Sequence, residues 1–376
     1  MITPRENLLR VLRRETPEWT PVATHVDPYN QPNRAGMDPA LADKLGEVRW
    51  GDEATVTFSR YLNLDIMDFC MPPLVTTQRK VTIDTDRRDD GRTITRWTTP
   101  KGELREVKRY SPDTGMWYTE EHMVKEPADL PRLAEVFADQ DYALNPDGVA
   151  MLQRRQALIG DDGVMQFALP GTPLGQMVRI YSGVETLAYL WADARAELHA
   201  LFAVMEEAHT RQVKMTSALE FADCLLSMDD TSTTAISPEM FAEFCLGYTD
   251  RLADVVHAEG KFYFHHSCGL IRDLLPLYRQ TKMDTVHAYT CRPLGDVTIA
   301  DRELLGPRIS IVAGMIQMFG SMENRAEVAE SVSRMFEEAG TGDQVIFSLA
   351  ADPEKTMEDT RFLVECCKGC RRGVAN

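Results

Sequence analysis

From about residue 160 onward, short apolar runs alternate with longer amphipathic stretches. The runs at 164–169, 223–228, 261–266, 284–290, 308–313 and 345–350 have the length and the aliphatic and aromatic content of buried strands. Between them lie helical patterns. In the stretch 237–258, Ser237 is placed to cap the free amides and Pro238 suits the first turn, while Phe241, Phe244, Leu252 and Val255 form an apolar side. Strand–helix units repeated at this spacing predict a parallel sheet covered by helices.

The first part of the chain reads differently. Thr3-Pro4-Arg5-Glu6 is a helix start, with a capping box and a proline at the first helical position. Leu8, Leu9, Val11 and Leu12 then supply a buried face. Residues 21–27 read as a strand, with His25 and Asp27 near its end. Within 76–118, Val81 and Ile83 alternate with polar residues, Asp90-Gly91 supplies a turn, and Ile94, Leu104 and Val107 resume the apolar pattern. That is the pattern of β-hairpins beside the core. With no short repeat and no low-complexity linker, the expected architecture is α/β: one (β/α)8 TIM barrel over 1–376, with an N-terminal helical and β-hairpin elaboration.

Composition narrows the function classes. The net charge of −17 disfavours a nucleic-acid partner, because phosphate binding needs lysine and arginine. No run of about 18 apolar residues is present, so the expectation is no membrane span. No signal peptide is read at the start either, and the expected location is cytoplasmic. Eight scattered cysteines suit free thiols and metal ligands better than a disulfide framework.

Barrel active sites gather where strands end. Polar groups fall at four such points: Asp229-Asp230, His265-His266-Ser267-Cys268-Gly269, His287 with Cys291-Arg292, and Asp352. In an extended segment residues two apart point the same way. His266 and Cys268 could therefore meet one metal ion at about 2.0–2.3 Å, with Gly269 letting the chain turn away. Cys291, at the end of the neighbouring strand, is the expected third ligand; His287 reads as a buried structural histidine that could serve as a fourth. Asp229, Asp230 and His265 are candidates for proton handling and substrate orientation, against the alternatives of helix-start carboxylates and a hydrogen-bonded core histidine. Cys367-x-x-Cys370 has no second such pair to make a zinc ribbon and reads as part of a helix end.

These residues resemble the uroporphyrinogen decarboxylase superfamily, and especially its branch of cobalamin-linked methyltransferases. The similarity runs from Thr3-Pro4-Arg5-Glu6 and Pro21-Val22 through Thr99-Pro100-Lys101-Gly102 and Val124-Lys125-Glu126-Pro127. It is strongest over Met228-Asp229-Asp230, Ile236-Ser237-Pro238-Glu239 and His266-Ser267-Cys268-Gly269, and continues in Leu294-Gly295-Asp296 and Val312-Ala313-Gly314. The resemblance implies a β/α barrel. It also implies that His266 and Cys268 bind zinc, as the matching pair does in methylcobamide:coenzyme M methyltransferases, where the metal presents a thiolate to a methyl group on cobalt. The family's thiol-activating members carry a further cysteine after the last strand. Here that stretch is Phe347-Ser348-Leu349-Ala350-Ala351-Asp352, and Cys291 is the expected replacement.

The expected function is thus zinc-dependent methyl transfer between a corrinoid (cobalamin), carried by a separate small protein, and a thiol or methylated small molecule. A homodimer is the assembly the resemblance implies. Three rivals remain: alkyl transfer to a thiol without a corrinoid, porphyrinogen decarboxylation, and a catalytically inactive barrel serving as a binding subunit. Decarboxylation suits the chain least. The stretch Asp27-Pro28-Tyr29-Asn30-Gln31-Pro32-Asn33-Arg34 holds one arginine where the decarboxylases have an arginine-rich carboxylate clamp.

Overall fold

In a computed structural model of the chain, the described residues are 2–25, 36–45, 53–314, 322–350 and 355–370. Among them are fourteen strands: β1 (Val22–His25), β2 (Ile66–Cys70), β3 (Leu74–Thr77), β4 (Thr82–Arg87), β5 (Arg92–Thr99), β6 (Gly102–Ser111), β7 (Met116–Glu121), β8 (Asp141–Leu144), β9 (Gly163–Pro170), β10 (Cys224–Met228), β11 (Phe262–His266), β12 (Thr285–Tyr289), β13 (Ser310–Gly314) and β14 (Val345–Ala350). Eight form one parallel sheet in the order β1-β14-β13-β12-β11-β10-β9-β2. A parallel bridge from Ala23 to Asp65 brings its two edges together into a nearly closed TIM barrel.

The six apolar runs after residue 160 are β9 to β14, and β1 is the expected first strand. The eighth, β2, has no clean apolar run because Asp65 precedes it and Asp68 interrupts it. Each aspartate has a structural partner. Asp65 accepts hydrogen bonds from the Val22 amide at 2.8 Å and the Trp19 indole at 3.1 Å. Asp68 forms a buried two-pronged pair with Arg155.

Strand pleating sorts the side chains into two cores. Met67, Val164, Cys224, Leu226, Phe264, Val312 and Ile346 fill the barrel with Leu8, Val11 and Leu12 of the first helix, Pro4–Arg13. The alternate residues, such as Ile66, Leu225, Tyr263 and Val286, pack outward against the helices. The first helix closes the N-terminal end of the barrel. Arg5 pairs with Asp223 just before β10 at 2.6 and 2.8 Å, and Arg14 reaches Asp284 just before β12 at 3.1 Å. That leaves the opposite end, where the strands finish, for chemistry.

The connection from β2 to β9 carries the elaboration. β3 pairs with β8, and β4 to β7 form a separate antiparallel meander that extends the expected 76–118 hairpin region to Glu121. Ser237 caps the helical segment that follows, its hydroxyl accepting from the Met240 amide at 3.1 Å. Cys366, Cys367 and Cys370 lie in the last helix, Met357–Cys370, as expected. Among the described residues no helix is long and apolar enough to cross a membrane.

Candidate active site at the barrel mouth

β11 places His266 and His265 on opposite sides of the sheet. His266 shares the parity of Phe264, which fills the barrel, so it faces the axis. His287 shares the matching register position on β12. The two Nδ1 atoms lie 3.1 Å apart. Cys268, two residues beyond His266, carries an exposed thiol. Gly269 then turns the chain at φ +89°, and a side chain there would press within 2.9 Å of the Ser232 hydroxyl.

Cys291 does not join this group, which corrects the expected ligand set. The expectation assumed that 287, 289 and 291 share one face. The register of β12 slips between His287 and Tyr289, and Ala288 takes φ +59°. That reverses the pleat. Tyr289 turns into the outer core, and Cys291 follows in a bridge to Val297. Cys291 is buried, its thiol pushed up to about 12 by that burial and by Glu338 and Asp301. Among the described residues no group of three or more His, Cys, Asp or Glu side chains is arranged to hold a metal ion. The donor types at the mouth suit zinc, which takes imidazole nitrogen and thiolate sulfur: His266 and His287 converge, and Cys268 follows two residues after His266.

The two aspartates have different tasks. Asp229 is buried, and its oxygens accept from the Thr172 amide at 2.6 Å, the Thr172 hydroxyl at 3.0 Å and the Asp230 amide at 2.9 Å. It ties the loop after β10 to the start of the helix that follows β9. Burial pushes its carboxyl up to about 6, against those hydrogen bonds. Gly175 packs so closely that a Cβ there would lie 1.7 Å from Asp229 Oδ1. Asp229, expected to handle protons or orient substrate, is thus tied into the backbone of the mouth loops. Asp230 is half-buried and held above the usual carboxylate range by desolvation and by Asp229, with Arg179 opposing. Its charge also raises the Cys268 thiol, after the larger effect of burial.

His265 is wholly buried behind the strand, which corrects its expected place among substrate-facing groups. Its Nε2 meets the Thr231 hydroxyl at 2.9 Å; Thr231 lies 3.3 Å from Ser267, and Ser267 meets the Tyr278 hydroxyl at 2.7 Å. Its Nδ1 is 4.0 Å from Asp229 Oδ2. Burial lowers the imidazole to about 3, so the ring is neutral and the contact is not an ion pair. The network holds Ser267, the residue between the two mouth donors, from behind.

Asp27 and Asp352 fall outside the described residues, as does the stretch 27–34. Sequence reasoning did not reach Arg179, whose Nη1 donates to the Met228 carbonyl at 3.0 Å and whose charge acts on Asp229, Asp230 and Cys268. Nothing in its sequence surroundings sets it apart; its place follows from a π-helical turn, Met177–Tyr181.

The whole chain is similar in fold to solved structures. A methyltransferase from Methanosarcina mazei superposes with a TM-score of 0.60 at 14% identity, covering 98% of this chain and 99% of its own. A B12-independent methionine synthase from a Shewanella species, in complex with selenomethionine, gives 0.48 at 11% identity, covering 94% and 96%. A search of curated proteins found no match. The family model described as uroporphyrinogen decarboxylase (URO-D) matches residues 118–370, well over half of the 376. The chain belongs to the uroporphyrinogen decarboxylase family.

Proposed function

We propose that this barrel transfers a methyl group between a corrinoid, carried by a separate protein, and a small thiol or methylated substrate held at the mouth. The observation that carries the reading is the meeting of His266 and His287 at 3.1 Å on the barrel axis side, with Cys268 exposed two residues beyond His266. A structure named as a methyltransferase that matches the full length of both chains supports it. His266 and Cys268 are the proposed zinc donors, with His287 in the third place instead of Cys291. Zinc bound there would hold a substrate thiol as its thiolate or polarise an ether oxygen.

The protein's own side chains do the rest. Asp230, whose charge acts on Cys268, is the carboxylate proposed to take or return a proton. Arg179 balances that carboxylate. Thr231, Ser267, Tyr278 and neutral His265 fix the backbone that carries the donors. The test is methyl transfer from methylcobalamin to a set of small thiols, with metal content measured on the same samples. Transfer that depends on zinc and is lost in Cys268→Ser and His266→Ala supports the reading. Full transfer by both variants overturns it.

A further inference from the structure

A cavity of about 490 Å³ opens beside the mouth, between the ends of β2, β9 and β10 and the turn Met177–Tyr181. Phe69, Phe137, Tyr142, Tyr181 and Met228 give it aromatic and thioether walls. Phe69 and Met228 pack against the barrel-filling core, so the cavity adjoins the barrel interior. Its volume is within the range of small-molecule pockets.

Its polar lining is asymmetric. Among the described lining residues Arg179 is the one charged side chain, and none is a carboxylate. His209, also in the lining, is kept neutral by burial, and its Nδ1 meets the Tyr248 hydroxyl at 2.8 Å. Arg179 is anchored by the Met228 carbonyl, and it makes no salt bridge among the described residues. Asp230 feels the charge of Arg179, but no carboxylate among the described residues occupies the guanidinium fork, which is therefore open to an external anion. Arg179 lines the cavity and bonds the carbonyl of Met228, the last residue of β10, so it stands at the strand-end side of the cavity.

We infer that the substrate class of this site is a small, flat, apolar monocarboxylate, its carboxylate on Arg179 and its body among the aromatic walls. The planar fork of arginine matches a carboxylate. Asp229 and Asp230 nearby disfavour a dianion such as phosphate. Flat aromatic walls favour a ring. The inference rests on reading the mouth as the place of group transfer.

The test is calorimetric titration of the full-length protein with 2-naphthoate and with its neutral counterpart 2-naphthamide. The wild type should bind the acid at least about tenfold more tightly than the amide, the scale of one charge-assisted hydrogen bond. Arg179→Gln should erase that preference, and Arg179→Lys, which keeps charge without the fork, should retain part of it. Equal binding of acid and amide by the wild type, no binding of either, or an unchanged preference in Arg179→Gln would overturn the inference. The outcomes separate it from the proposed reaction. Naphthoate preference without methyl transfer removes the reaction and leaves the cavity's ligand class. Transfer with no role for Arg179 in binding removes the ligand class alone.

Discussion

His266 and His287 come from neighbouring strands and face each other with their Nδ1 atoms 3.1 Å apart. A hydrogen bond at this distance needs a proton on one nitrogen and a lone pair on the other. Two protonated rings would repel there, and a shared cation would replace the proton. The pair, not Cys291, is therefore the feature on which metal content should turn. His287→Ala should weaken zinc binding by at least about 10–100-fold, the range seen for loss of a supporting partner alone. Cys291→Ser should leave metal content unchanged while costing about 1–3 kcal/mol for burying a hydroxyl. Metal analysis after dialysis, with urea denaturation of the same variants, checks both.

Asp230 is the carboxylate whose charge acts on Cys268 and whose oxygens, unlike those of Asp229, take no backbone ties among the described residues. Asp230→Asn should lower the turnover rate by about 10²–10⁴, the usual scale of a lost general acid or base, with little change in stability. Turnover measured across pH gives a further sign. The group is held above the usual carboxylate range, so loss of activity on acidification should begin at higher pH than for an ordinary aspartate. A variant with wild-type turnover would exclude the role.

Asp229 gives the opposite signature, in stability. Its carboxyl is raised to about 6 in the fold, above the value of about 3.9 in an unfolded chain. The folded state then holds the proton more tightly than the unfolded one between these values. The protonated form's contribution to stability is present below about pH 4 and is lost as pH rises through 6. Urea midpoints taken from pH 4 to 7 should show the wild type losing about 2–3 kcal/mol relative to Asp229→Asn across that window. Parallel curves would show that the carboxyl titrates normally.

Gly175 tests the packing around that carboxylate. A methyl group there would sit 1.7 Å from Asp229 Oδ1, so the helix start or the carboxylate must move. Gly175→Ala should cost about 1–3 kcal/mol, as overpacking does, and read out as a lower thermal midpoint.

The far end of the barrel should separate stability from chemistry. Asp223→Ala removes the partner of Arg5 at the N-terminal closure. About 1–3 kcal/mol of stability should be lost, while substrate affinity and turnover at the mouth stay near wild type. A large loss of turnover at a temperature where the variant is folded would contradict the placing of the site at the strand ends.

The barrel was legible in sequence wherever a strand is an uninterrupted apolar run, as in Val345–Ala350. It was not legible at Ile66–Cys70, where an aspartate inside the run pairs with Arg155 from a distant helix. At the site, the spacing of two residues paired His266 with Cys268 as donors, and the pleat puts His266 on the inward face. The same rule failed for Cys291 because a single left-handed residue, Ala288, intervenes. His265 and His266 look alike in sequence; only the pleat makes one a buried brace and the other a mouth residue. Asp229 and Asp230 differ in the same way, through hydrogen bonds from Thr172 that no local pattern announces.

The slip at Ala288 has an evolutionary consequence. Where the inward face of a strand end is decided by pleat parity, one residue gained or lost upstream exchanges the whole set of side chains presented to the mouth. A barrel of this kind can retire one donor and recruit another by a single-codon insertion or deletion, with every side chain of the old set still encoded. Relatives that differ by such a slip would align well and yet present different atoms to the same substrate.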